Sequence, residues 1–197
     1  AIARRCGVAT DLIDEVASRG RAFLLASSHE VDNARVWRFY TDDAYPPADV
    51  DDTAACVIAL GPREPELAGT LAALARMRGP GGGFLTWFDP EGMLNPETVT
   101  VSSRATTALV AAGAQFDCEA ACTFLRERFE GDHWTGSWVV LRPRYATYLA
   151  LEASSACDCD ILERDAVVRY LGTPALRELD VLDVSHTVLA LNALGAP

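Results

Sequence analysis

A chain of 197 residues, half of them hydrophobic, can bury one sizeable core and is read as a single domain, 1–197. Its 17 basic residues, all arginine, stand against 28 acidic ones, and the formal charge of −11 excludes nucleic acid as a partner, since phosphate contacts need a basic surface. With no apolar run of about 18 residues and no secretory pattern, the sequence predicts a cytoplasmic chain without a transmembrane segment.

The chain opens on Ala1 rather than Met, so a trimmed start or a piece of something longer is expected. Asp11–Ala26 then carries apolar residues at helical spacing with Asp, Glu and Arg opposite, which predicts an amphipathic helix with an acidic start at Asp11. After Pro46-Pro47 comes Asp49-Val50-Asp51-Asp52-Thr53-Ala54, three carboxylates within four residues, opening an apolar run to Leu60. Charges that close cannot all ionise once water is scarce, so one carboxyl is pushed towards keeping its proton. The cluster is expected at a helix N-terminus, where orphan amide N–H groups hold two of the carboxylates. The competing reading is an Asp-rich cap on an ordinary helix.

Thr53 begins a pattern that recurs. Thr107, Thr147 and Thr187 each precede another small, apolar helix, at separations of 54, 40 and 40 residues. A period near 40 predicts a two-helix repeat stacked on its neighbours. These four helices are apolar nearly all round and should be buried. Between them Glu64–Arg78, Asp117–Phe129 and Asp160–Leu171 predict amphipathic outer helices, with Asp117 and Asp160 as acidic starts. Gly and Pro gather at 79–83, 95–96 and 172–174 as loops. No convincing alternating strand occurs; a short hairpin around Phe84–Phe88 would be peripheral. Trp138, after Gly136-Ser137 and beyond the Phe124-Leu125 helix, is expected to brace one helix pair against the next. Gly82-Gly83-Phe84 with Trp87, and Phe23-Leu24 with Trp37, are looser versions. The fold class is all-α, a double ring or solenoid of helix pairs.

Six cysteines are present. Without a secretory signal they are read as reduced, buried or idle thiols. Cys118 and Cys122, four apart, suit a metal or a core stripe equally; Cys157 and Cys159 flank Asp158, and Cys6 and Cys56 stand alone. Paired Cys-x-x-Cys spacing is absent, so no metal is assigned to them.

The acidic stretch resembles the Asp-x-Asp-Asp-Thr-Ala signature of class II terpenoid cyclases, the squalene–hopene and copalyl-diphosphate cyclase type. The run from Phe124-Leu125 to Gly136-Ser137-Trp138 is similar to the glycine–tryptophan repeat that braces their α/α toroids, with Phe129 where the family has Gln and a longer spacer. The resemblance implies protonation-initiated cyclisation of a linear polyprenyl chain, with Asp51 as general acid and Asp49, Asp52 and Thr53 beside it. A cation formed in this way needs a dry, π-rich cavity. Tyr45, Trp87, Tyr145 and Tyr148 are the aromatic candidates, with Phe39, Tyr40, Phe88 and Trp134 behind them. Core packing is the competing role for each. Arg142 and Arg144, or Arg35 and Arg38, would bind a diphosphate with Mg2+ if the substrate carries one. Full cyclases work between two helical domains and a closed double ring has about six inner helices, so four predict an incomplete toroid, a second copy or partner chain completing the cavity, or a trimmed or degenerate relative that keeps the signature without cyclase activity.

Two alternatives compete. Asp183-Val184-Ser185-His186-Thr187 resembles the zinc-binding Asp-x-Tyr-His-Thr segment of protein prenyltransferase β subunits, with Ser185 in place of Tyr and no matching Asp-x-Cys upstream. The other is a non-catalytic helical-repeat module that binds a hydrophobic ligand or partner through an open edge.

Overall fold

The computed structural model describes residues 10–39, 47–61, 64–90, 92–136, 142–160, 163–173 and 180–195. Eight helices lie among them: α1 Thr10–Ala26, α2 Val50–Leu60, α3 Ala68–Arg76, α4 Val99–Ala112, α5 Cys118–Glu127, α6 Pro143–Ala156, α7 Arg164–Gly172 and α8 Val181–Ala193. Two three-residue strands, β1 His29–Val31 and β2 Ala34–Val36, form an antiparallel hairpin. The protein is therefore mostly helical with one small sheet.

The hairpin is a correction to the sequence reading. Asp32 and Asn33 take left-handed φ values of 50° and 61°, which makes a two-residue turn matched to strand twist. Strands this short leave almost no alternation to detect. The segment around Phe84, expected at the periphery, makes only isolated bridges, and Phe84 itself is fully buried.

The expected alternation of helices is present. Helices α2, α4, α6 and α8 pack side by side as a central row, each on the next. The others flank that row, α3 and α5 against α4 and α7 against α8. Among the described residues no comparable contact returns α8 to α2, so the row is open. Small residues let the row pack closely: α4 buries Ser102, Ser103, Ala105, Thr106 and Ala108, and α6 buries Ala146, Thr147, Ala150, Ala153 and Ser154.

The row's end departs from expectation. α8 buries only Thr187 and Ala190 along its length, and leaves Val181, Leu182, Val184, Val188 and Leu189 exposed, because no described helix covers its far side. α1 likewise buries none of its residues. Two starts also differ. Glu64–Arg78 divides into a 3-10 turn, Pro65–Leu67, followed by α3, and α7 begins at Arg164, after Asp160. Asp117 is the cap it was expected to be, its side chain accepting from Ala120 N at 3.0 Å.

A repeated tie joins α1 to α2 and α5 to α6. Trp37 donates its indole N–H to Leu24 O at the end of α1 (2.8 Å) and its backbone N–H to Thr53 Oγ1 in α2 (2.9 Å). Trp134 does the same with Leu125 O of α5 (2.8 Å) and Thr147 Oγ1 of α6 (3.1 Å). Between them Phe84 N donates to Ser102 Oγ of α4 at 2.8 Å. The hydroxyl equivalent to Thr53 in α4 is thus Ser102, five residues before Thr107. The described tryptophan of the third tie is Trp134; Trp138 lies outside the described residues. Gly83 next to Phe84 must be glycine, since a Cβ there would sit 2.5 Å from the Phe124 ring.

Removing one of these hydroxyls strands a buried backbone N–H. Thr147→Val is expected to destabilise the fold by about 1–3 kcal/mol, read as a lower urea midpoint with an unchanged m-value. Thr147→Ser, which keeps the acceptor, should recover most of that loss.

The cysteines are not all reduced thiols. Cys122 of α5 and Cys159, just beyond α6, form a disulfide with Cα atoms 5.8 Å apart, while Cys56, Cys118 and Cys157 are free. No sequence spacing reveals this pair, because its two cysteines are 37 positions apart and are brought together only by the α5–α6 packing.

Candidate functional site

The acidic cluster sits where the sequence places it, at the start of α2. Asp49 is the N-cap, its extended backbone (φ −119°, ψ 157°) aiming the carboxylate at the helix end, where it accepts from Asp52 N at 2.6 Å. Backbone bonds on both sides fix it: Asp49 N donates to Trp37 O at 3.1 Å and Val50 N to Thr86 O at 2.9 Å. Asp49 is 6% exposed.

Burial raises the Asp49 pKa from 3.8 to about 8, and the Asp52 and Asp51 charges push the same way against the Asp52 amide. Its side chain also hydrogen-bonds with that of Asp52, which favours one proton held between the two. Burial raises Asp52 as well, with Asp51 adding to it. Asp51 is raised by burial despite the opposing Arg104 guanidinium. Arg104 Nε donates to Asp51 Oδ1 at 3.2 Å, and both side chains are about a quarter exposed (22% and 26%). A unit-charge pair near 4 Å is worth roughly 4 kcal/mol at an effective dielectric of 20. In the balance on Asp51, desolvation still outweighs it.

From Asp51 a polar and aromatic strip crosses the central row. Arg104 of α4 donates through Nη2 to Tyr145 OH of α6 and lies 5.6 Å from that ring's centroid. Tyr145 faces His186 of α8 at 4.7 Å between centroids, and Tyr148 stacks on the same imidazole at 6.2 Å and 9°. Tyr148 OH donates to Glu152 Oε1 at 3.2 Å. Burial lowers the His186 pKa, with Asp183 opposing, so the ring is biased towards neutral. Its Nδ1 is buried without a hydrogen-bond partner.

The remaining sequence candidates fall elsewhere. Thr53 is fully buried and spends its hydroxyl on the Trp37 backbone, so its place in the signature is structural. Trp87 is buried with its backbone bridged to Asp49 and bonded to Asn95, and its indole N–H has no partner. Arg144 is buried, donating to Leu171 O and Thr187 Oγ1 at 3.0 Å each, which ties α6 to α7 and α8. Arg142 is paired with Asp180 at 2.7 Å and Asp183 at 3.6 Å. Phe39 is 72% exposed, Phe88 packs against the core, and Trp134 is the tie described above. Tyr40 and Tyr45 lie outside the described residues.

Arg104 and His186 are the strip residues that the acid assignment did not include. Arg104 carries a signal of its own: a lone charge inside the otherwise small and uncharged α4 needs a buried partner. The zinc alternative finds no ligand set around His186. Among the described residues, the one group of three or more metal-ligating side chains brought together is Cys122, Cys157 and Cys159. Three cavities, of about 40, 400 and 440 Å³, are lined by other residues and none touches Asp49, Asp51 or Asp52. No described helix is long and apolar enough to cross a membrane.

No protein-family model matches the chain, and no curated protein matches it.

Proposed function

We propose that the chain is an arc of an α/α toroid that carries out protonation-initiated cyclisation of a linear polyprenyl substrate. The observation that supports it most is the Asp49 carboxyl, buried at a helix start, raised to about 8 and flanked by two further carboxyls. Such a group keeps a proton at neutral pH, which an isolated aspartate does not.

In this reading Asp51 is the general acid, because it is the member of the cluster in contact with the Arg104–Tyr145 strip. Asp49 and Asp52 hold the shared proton behind it. Arg104 restrains the acid by favouring its carboxylate, and an anionic diphosphate head is the kind of group that draws the guanidinium away. Mg2+ enters only with such a head group. Tyr145, Tyr148 and the neutral His186 supply π faces along the path of the developing carbocation. Protonation of the alkene leaves the Asp51 carboxylate, and the sequence closes when the final cation loses a proton to a base, so no net proton is consumed.

The exposed apolar face of α8 favours a second copy or a partner chain completing the cavity. The same face supports the second reading, a helical-repeat module that binds a hydrophobic ligand without turning it over. Linear polyprenyl substrates of farnesyl to squalene length, with and without a diphosphate, separate the two. Cyclised product from the wild type that is lost in Asp51→Asn supports the enzyme. Equal ligand binding by both proteins, with no product from either, supports the module.

A further inference from the structure

Four sulfurs gather where α5 meets the end of α6. Cys118 and Cys122 lie one turn apart at the start of α5, and Cys157 and Cys159 flank Asp158 just beyond α6. The Sγ atoms of Cys122, Cys157 and Cys159 all lie within 4.8 Å of one another, and Cys118 hydrogen-bonds with Cys157. A structural staple accounts for Cys122 and Cys159, which form the disulfide. It does not account for two further thiols brought to it from the same two segments.

The backbone arranges this convergence. Asp158 takes a left-handed φ of 55°, and Cys159 N donates back to Ser154 O at 2.8 Å, closing the end of α6 as a capped turn. On the facing side Arg78 donates to Asp117 O at 3.0 and 2.8 Å, which holds a cation beside Cys118. The N-terminal end of α5 adds the positive pole of its helix dipole.

We propose that, once the disulfide is reduced, Cys118, Cys122, Cys157 and Cys159 hold a Zn2+ ion in a tetrahedral four-thiolate site that clamps α5 to the end of α6. A dithiol reductant converts the Cys122–Cys159 bond to two thiols and is itself oxidised to a disulfide. The four thiols then bind Zn2+ as thiolates and release four protons. The complex carries a net charge of minus two, which the Arg78 guanidinium and the α5 dipole offset. Thiolates are soft ligands and select Zn2+ over Mg2+ or Ca2+. A disulfide oxidant, itself reduced to two thiols, re-forms the Cys122–Cys159 bond, removes two of the ligands and ejects the ion, so disulfide and metal are alternative closures of one joint.

The test uses the full chain, reduced with a phosphine, freed of excess reductant and titrated with Co2+ and then Zn2+. One Co2+ per chain, with thiolate-to-cobalt charge transfer and the d–d bands of a tetrahedral sulfur site, followed by displacement by Zn2+, is the expected result. Cys118→Ser and Cys157→Ser leave the disulfide pair intact and should each weaken binding by at least the roughly 10–100-fold that even outer partners of a metal site cost. Cys56→Ser, on α2, should bind as the wild type does. A reduced chain with unchanged far-UV circular dichroism that binds no metal overturns the proposal. So does binding that survives Cys157→Ser, or purification with an iron–sulfur chromophore in place of zinc.

Discussion

Asp51→Asn is expected to lower the formation of cyclised product by about 10²–10⁴-fold, the usual contribution of a positioned general acid, and to leave the fold almost unaffected. The Asp51–Arg104 pair is partly exposed and its loss should cost no more than about 1 kcal/mol. Asn keeps the shape of the side chain and accepts from Arg104, but it has no proton to give an alkene. Asp49→Asn is the informative companion. Asn is as good an N-cap as Asp and mimics the protonated Asp49, so helix α2 stays closed and part of the activity should remain. The reverse pattern, a dead Asp49→Asn and an active Asp51→Asn, would move the donor to Asp49 and refute the assignment. Arg104→Gln adds a readout that a purely structural role would not move. It removes the cation that favours the Asp51 carboxylate, so the basic limb of the pH–rate profile should shift to higher pH.

The second large effect is on stability. Unfolding free energy should fall as pH rises from about 4 to about 8. Below 3.8 Asp49 is protonated in both the folded and the unfolded chain, so it contributes no pH dependence. Between 3.8 and about 8 the unfolded chain releases the proton while the folded chain keeps it, and stability is lost at up to about 1.4 kcal/mol per pH unit. Above about 8 both states are ionised and the loss levels off. Burial raises Asp51 and Asp52 in the same direction, whereas His186, whose pKa burial lowers from 6.5, opposes the trend below that value; the depressed pKa of the exposed Asp180 acts only below 3.8, outside this range. Urea unfolding at about pH 5 and about pH 8 measures the difference. Asp49→Asn should be more stable than wild type at the higher pH, by an amount of order several kcal/mol, and should flatten the slope. Parallel slopes in the two proteins would show that Asp49 ionises normally.

How much of this was legible in the sequence varied with the physics of each feature. The start of α2 was readable because three aspartates before an apolar run have few other places to go, and the capped geometry of Asp49 follows. The alternation of central and flanking helices was readable from periodicity. The register within α4 was not. The tie needs only a hydroxyl, and Ser102 supplies it as well as a threonine would, so a pattern keyed on threonine settled on Thr107. The tryptophan brace is expected at Trp138, which lies outside the described residues; Trp134, four residues earlier and also behind a glycine turn, makes a tie of this kind. Arg104 escaped because its partner lies 53 residues away, although its isolation within α4 was visible. The cysteine patch depends wholly on how α5 meets the end of α6, which no local spacing encodes.

The tryptophan ties have a consequence for how the molecule breathes. Each links a flanking helix to the central helix after it, so α1 with α2, and α5 with α6, should open and close as units. Amide protons in the Trp37–Thr53 and Trp134–Thr147 bonds should exchange with solvent in step with those of both helices they join. The chain would then come apart pair by pair, like beads leaving a string, starting from the thinly covered ends.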